Sequence, residues 1–186
     1  EGILGKLKLI RGSFTYQFTR QDNYRADPAM GGGALWDIGC YPLSYARAML
    51  GMEPVEVFGW QVKGESGIDN SFVAQMRFDG EVFAQFDCSF TLPQHTFMEL
   101  VGDEGTLIIP VPFTPQSKEY LFLTRVGKTE KITVKAPGLY HGEVEDMADA
   151  IFLGKPPRIS MADTRANTRA ILALYESAKT GKPVAL

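Results

Sequence analysis

The sequence predicts an α+β fold: one large, mostly antiparallel sheet, open on one face, with helices packed on the other. Three patterns carry this expectation. Residues 6–18 alternate like a half-buried strand, and strand signals then run from 55 to 134. Helical spacing appears early, at 31–51, and again in the tail from 143 onward. The order strand, helix, a run of strands, then helices is that of segregated layers rather than repeated βαβ units.

Each element has its own signal. In residues 6–18, Ile10, Phe14, Tyr16 and Phe18 share one set of positions, and Leu9, Arg11, Ser13, Thr15 and Gln17 the other. Residues 20–30 are polar, with Asp22, Asn23, Asp27 and Pro28, and read as a loop. Strands are expected at 55–62, 68–78 and 81–91, the last two joined by a two-residue Asp79-Gly80 turn. In that hairpin Phe72, Ala74, Met76, Phe78, Val82, Ala84, Phe86 and Cys88 fall on one face. The other face is polar and small except for Phe83, as an antiparallel sheet open to one side allows. Further strands are expected at 96–101 and 106–109. The three prolines of 110–115 make a loop, and a last hairpin at 120–124 and 131–134 turns at Gly127. Residues 136–140 are a connector. Val144, Met147, Ala148 and Ile151 give 143–153 an amphipathic helix that Gly154 stops. The last helix, 163–179, has Ser160 as its N-cap and Gly181 at its end.

Composition narrows the function classes. A chain of 186 residues, 45% apolar and 22% charged, suits one domain with a good core. A net charge of −3 with scattered Lys and Arg offers no electrostatic footprint for nucleic acid or an anionic membrane. No apolar run reaches the roughly 20 residues of a membrane span, and no signal peptide is visible. Cys40 and Cys88 are far apart and part of no Cys/His cluster, so no metal site is expected, and both read as reduced, buried thiols of a cytoplasmic protein. His95 and His141 are isolated and read as surface or satisfied histidines.

The stretch 31–51, GGGALWDIGCYPLSYARAMLG, carries most of the chemistry. Leu35, Ile38, Pro42, Ala46 and Met49 line one helical face; Asp37, Tyr41 and Ser44 repeat on another. A carboxylate and a phenol thus project from one short element. Pro42 offers no amide hydrogen to the carbonyl of Ile38. The glycine run lets another backbone or a ligand approach closely. Spacing alone equally fits a solvated Asp and a half-buried packing Tyr.

The string from Arg25 to Pro42, with Asp37, Gly39 and Tyr41, resembles the C-terminal domain of the Gfo/Idh/MocA family of NAD(P)-dependent oxidoreductases. Its Tyr version is similar to the branch of glucose–fructose oxidoreductase, dihydrodiol dehydrogenases and some xylose dehydrogenases. The segment ELVGDEGTL and the closing LYESAKTGKPV resemble the same family, so the likeness covers nearly the whole chain. It implies Tyr41 as acid/base with Asp37 as its orienting partner, and Arg25, Gly32, Gly33 and Ser44 toward the substrate, a sugar, polyol or dihydrodiol. It also implies a homodimer through the open sheet face, where Phe83 and, by register, Trp60 or Phe97 fall. In the family a Lys of the N-terminal domain supplies the positive charge beside the phenol.

Residues 1–186 are accordingly expected to be a single substrate-binding and dimerisation domain. No G-x-G-x-x-G follows a strand here, so the Rossmann half is expected to lie outside this chain, which begins at Glu1. NAD or NADP is the cofactor expected of the full-length protein. Alone, this polypeptide is expected to bind it poorly and to be inactive. The competing expectation is a stand-alone, non-enzymatic binding or dimerisation module without a nucleotide domain. The reading frame upstream of Glu1 separates the two.

Overall fold

The computed structural model describes residues 2–20, 22–135 and 138–186; Ala136 and Pro137 of the expected connector lie outside the described residues. Among the described residues nine strands form one sheet: β1 (Leu7–Thr15), β2 (Glu56–Lys63), β3 (Asp69–Phe78), β4 (Val82–Ser89), β5 (His95–Gly102), β6 (Thr106–Ile109), β7 (Lys118–Arg125), β8 (Lys128–Lys135) and β9 (Val184–Ala185). Their spatial order is β8-β7-β6-β5-β1-β4-β3-β2-β9. Every pairing is antiparallel except β1 with β4, so the first strand inserts into the middle of the sheet rather than at an edge. That central seat gives β1 two neighbours and ties both halves of the sheet together. The expected α+β, open-faced architecture is the observed one.

The alternation read in the hairpin holds in three dimensions. Ala74, Met76 and Phe78 face the helices with Ala84 and Phe86, all buried. The turn is one residue longer than expected: Phe78 pairs with Val82, and Gly80 and Glu81 both take positive φ. The third residue keeps the apolar sets of β3 and β4 opposite one another, which the two-residue turn drawn from Asp79-Gly80 would not. The short β9 was not foreseen; it pairs with the edge of β2.

Helices α1 (Cys40–Leu50) and α3 (Met161–Thr180) pack on the sheet through Leu43, Ala46, Ala170, Ile171 and Leu174, all buried. Ser160 caps α3 by accepting from Asp163 N at 3.0 Å. Arg47, 3% exposed, pins the two helices together: it reaches both carboxylate oxygens of Glu53, at 2.6 and 2.7 Å, and Asp163 at 3.0 Å. Helix α2 (His141–Leu153) forms where the sequence puts it but buries no residue. Its apolar stripe does not join the core.

Candidate active site

The element that carries Asp37 opens as a π-turn, Leu35–Gly39, and continues as α1. Pro42 supplies no amide donor, so the α-helical ladder cannot run through Ile38, and the first turn widens. Such π-turns concentrate at functional sites.

Two devices hold this turn in place. The first is Asp69, 3% exposed at the start of β3, whose Oδ2 accepts from Leu35 N at 2.7 Å at the helix entrance. Tyr175 of α3 donates to its other oxygen, also at 2.7 Å. Burial raises the Asp69 pKa, an effect opposed by these two hydrogen bonds. Gly33 makes the approach possible: its φ is +126°, and a Cβ there would stand 2.1 Å from Asp69 Oδ1. The second device is Gly39, whose missing side chain leaves room for Cys88 Sγ and Leu35. The motif glycine is thus the point at which the turn lies flat on β4.

Asp37 takes two hydrogen bonds at one oxygen. Tyr16 OH donates to Oδ2 at 3.0 Å, and Arg25 Nε donates to the same atom at 2.8 Å. The Asp37 side chain is 14% exposed and that of Arg25 31%, so the ion pair is half-sheltered. Asn23 holds the Arg25 loop by accepting from Arg25 N at 3.1 Å, and the guanidinium lies 4.6 Å from the centroid of the Tyr24 ring. Burial, then the charge and hydrogen bond of Asp37, push the Tyr16 phenol up to about 12. The hydrogen bond to Asp37 raises the Arg25 guanidinium pKa further.

Tyr41 stands one turn on, 42% exposed. Its ring meets Phe14 edge-on at 5.5 Å and tilts against Phe113 at 5.7 Å, while Phe14 and Phe113 stack at 5.0 Å. The proline-rich loop after β6 delivers Phe113, 7% exposed, to this aromatic wall. Partial burial raises the Tyr41 pKa, followed by Cys40, Tyr140, Asp37 and Glu143. Among the described residues no hydrogen bond reaches the Tyr41 hydroxyl. Asp37 therefore acts on Tyr41 through charge, its Oδ2 being taken up by Tyr16 and Arg25.

The structure brings Arg25 to Asp37 but sends Ser44 elsewhere. Ser44 lines a cavity of about 290 Å³ against α3, with Cys40, Asp163 and Asn167. Three residues along an α-helix fall about 60° short of a full turn, which swings Ser44 toward α3. The glycine run serves the chain itself: Gly32 N donates to Asp27 O at 2.9 Å and Gly33 N to Arg25 O at 3.0 Å. Those amides fold the 23–33 loop back on itself and are not free to cradle a phosphate. Tyr16 is the residue that sequence reasoning missed as part of this site. Its alternation marked it as strand, and nothing local ties it to a carboxylate 21 positions away. Among the described residues, no three His, Cys, Asp or Glu side chains gather where they could hold a metal ion. No helix there is long and apolar enough to cross a membrane.

A family model described as the GFO/IDH/MocA C-terminal domain matches residues 1–108. The chain is 29% identical to D-xylose 1-dehydrogenase (NADP(+)) 2 of Haloferax volcanii, over 98% of this chain and 57% of that protein. It is 26% identical to D-xylose 1-dehydrogenase [NADP(+)] of Haloarcula marismortui, over 100% of this chain and 54% of that one. Human trans-1,2-dihydrobenzene-1,2-diol dehydrogenase is 28% identical over 56% of this chain and 31% of its own. Among solved structures, the aldose-aldose oxidoreductase of Caulobacter crescentus, complexed with glycerol, superposes with a TM-score of 0.90. That match has 23% identity and covers 100% of this chain and 57% of that one. This likeness establishes the fold. The chain spans little more than half the length of the curated xylose dehydrogenases it matches.

Proposed function

The chain belongs to the GFO/IDH/MocA C-terminal domain family, and we propose from that premise that it is the substrate-binding and dimer-forming part of an NADP-dependent oxidoreductase. Its substrate is a CH–OH group of a sugar, or of a related polyol or dihydrodiol. One observation carries the reading. An exposed phenol, Tyr41, stands on an aromatic wall next to a carboxylate that Tyr16 and Arg25 hold fixed.

Tyr41 is the acid/base. Burial and neighbouring acids keep the phenol protonated at neutral pH, so in the reductive direction its hydroxyl gives a proton to the substrate carbonyl oxygen. In the oxidative direction it must accept that proton, which calls for a nearby positive charge. Arg25 is already engaged by Asp37; the charge comes from outside these residues. The half-buried Phe14 ring beside Tyr41, backed by the buried Phe113, offers an apolar floor to the substrate's carbon skeleton, and Asp37 with Arg25 offers polar partners to its hydroxyls. Bound NADP supplies the hydride chemistry. These residues do not fit its phosphates, because the amides of Gly32 and Gly33 are already bonded to loop carbonyls.

The dimer forms through the open face of the sheet, where Trp60 is 55% exposed, Phe83 49% and Val73 47%. Apolar side chains of this size on a flat sheet face are characteristic of a partner surface. Two thiols without a disulfide fit a reducing compartment such as the cytoplasm.

The test is an absorbance assay at 340 nm on the gene-encoded protein, with aldoses, polyols and dihydrodiols against NADP+ and NAD+. Turnover of an aldose with NADP+, lost in Tyr41→Phe, is the expected result. No turnover and no nucleotide binding by the gene-encoded protein would leave the non-enzymatic module as the answer.

A further inference from the structure

The helix layer leaves the far end of β1 uncovered. On the core side of this strand Ile10 is 1% exposed and Gly12 is buried, but Phe14, Tyr16 and Phe18, the next three residues on that side, are only half-buried. Tyr16 and Phe18 lie beyond the end of β1, yet the chain stays zipped to its neighbour: Tyr16 N donates to Ser89 O at 2.9 Å and Phe18 N to Phe90 O at 2.8 Å. The three rings form an unbroken row that starts at Tyr41. Phe14 stands 5.5 Å from Tyr41, Tyr16 6.4 Å from Phe14, and Phe18 6.3 Å from Tyr16, centroid to centroid. Buried Phe90 backs the last two, at 5.4 and 5.1 Å. Four residues of extended chain span about 13 Å, more than the single ring of a monosaccharide needs. The row ends at a cavity of about 600 Å³ whose lining includes Phe18 and Phe90.

We propose that this cavity is a second sugar subsite and that the substrate is a neutral disaccharide, its reacting CH–OH at Tyr41 and its distal ring over Phe18. This rests on the oxidoreductase reading above. Small-molecule sites pair an apolar floor with a few placed polar groups, and the C–H side of a sugar ring packs on aromatic rings while its hydroxyls point outward. Here Phe18 and Phe90 are the floor, and Ser66, Asn70 and Thr91 supply an amide and two hydroxyls. Those groups are firmly mounted. Phe90 N donates to Asn70 O at 2.8 Å, and the Thr91 hydroxyl shares hydrogen bonds with those of Ser89 at 3.0 Å and Ser71 at 3.3 Å. The charged lining is balanced, one Lys63 against one Glu65, which suits a neutral ring rather than a phosphate. Ala26 also lines the cavity, and it follows Arg25 in the loop that clamps Asp37. One loop thus borders both the reacting end and the distal end of the row.

The experiment compares xylose with xylobiose, and glucose with cellobiose and maltose, as substrates of the gene-encoded protein with NADP+. Two variants accompany the wild type. Ser66→Trp fills the cavity from an exposed turn, and Phe18→Ala removes part of its floor. In the wild type at least one disaccharide is expected to have a KM about tenfold below that of its monosaccharide. Both variants are expected to raise that KM about tenfold, while KM and kcat for the monosaccharide stay within about twofold. Ser66→Trp loses no core packing, so it decides the matter if Phe18→Ala lowers stability. A wild type that turns over the monosaccharides and prefers none of the disaccharides overturns the subsite and leaves the oxidoreductase reading standing. Variants that change neither KM, or weaken both substrates alike, overturn it as well. Turnover of no sugar at all overturns the subsite, and if polyols and dihydrodiols fail too, the oxidoreductase reading falls with it.

Discussion

Tyr16 donates its hydroxyl to Asp37 Oδ2 at 3.0 Å, joining the residue just past the end of β1 to the first turn of the motif helix. Its phenol is pushed up to about 12, by burial first and then by the Asp37 charge and hydrogen bond. The folded protein therefore keeps a proton that the unfolded chain releases near the ordinary value of about 10. Unfolding is coupled to proton release between pH 10 and 12, so the Tyr16 contribution is complete below pH 10 and is lost as the pH rises through about 12. Urea titrations across pH 8–12 are expected to show a steeper alkaline loss of stability in the wild type than in Tyr16→Phe. Equal slopes would mean that the phenol titrates alike in both states.

Tyr41→Phe removes only the hydroxyl. The ring's contacts with Phe14 and Phe113 remain, so the thermal midpoint is expected to stay within a few degrees. Turnover of the gene-encoded enzyme is expected to fall by about 10²–10⁴-fold, the usual worth of a positioned acid/base. KM should change far less. Steady-state kinetics decide this, and a variant with wild-type kcat would remove Tyr41 from the chemistry.

Gly33→Ala tests the seat of the motif helix. The new methyl would meet Asp69 Oδ1, and φ of +126° is poor for any L-residue. Backbone strain of this kind costs about 1–3 kcal/mol, before any loss of the Asp69–Leu35 hydrogen bond. A fall in the unfolding free energy from urea titration by at least that amount is expected. Gly31→Ala is the control, since its φ is +75° but nothing lies within 4 Å of the new methyl; it should cost less.

Trp60→Asp/Phe83→Asp places two charges on the open sheet face. Both side chains are about half exposed, so the monomer's core is untouched. Light scattering at micromolar concentration is expected to show a dimer for the wild type and a monomer for the variant. A variant that stays dimeric would move the interface elsewhere.

The sequence by itself determined whatever depends on near neighbours in the chain. Alternation told the buried face of β3 and β4 from the open one. Ser160 and the glycines at 154 and 181 mark helix ends because capping is local. The Asp37-Gly39-Tyr41 spacing placed the phenol and the carboxylate on one element. Only the tertiary structure decided what each of them touches. Asp37 is clamped by Tyr16, 21 positions before it, and Leu35 is capped by Asp69, 34 positions after it. Tyr175 holds Asp69 from 106 positions away. Such pairings leave no local trace, because sheet order and helix packing bring the partners together. The same holds for α2: its period announces an apolar stripe, but whether that stripe points to core or solvent depends on where the sheet leaves room for it.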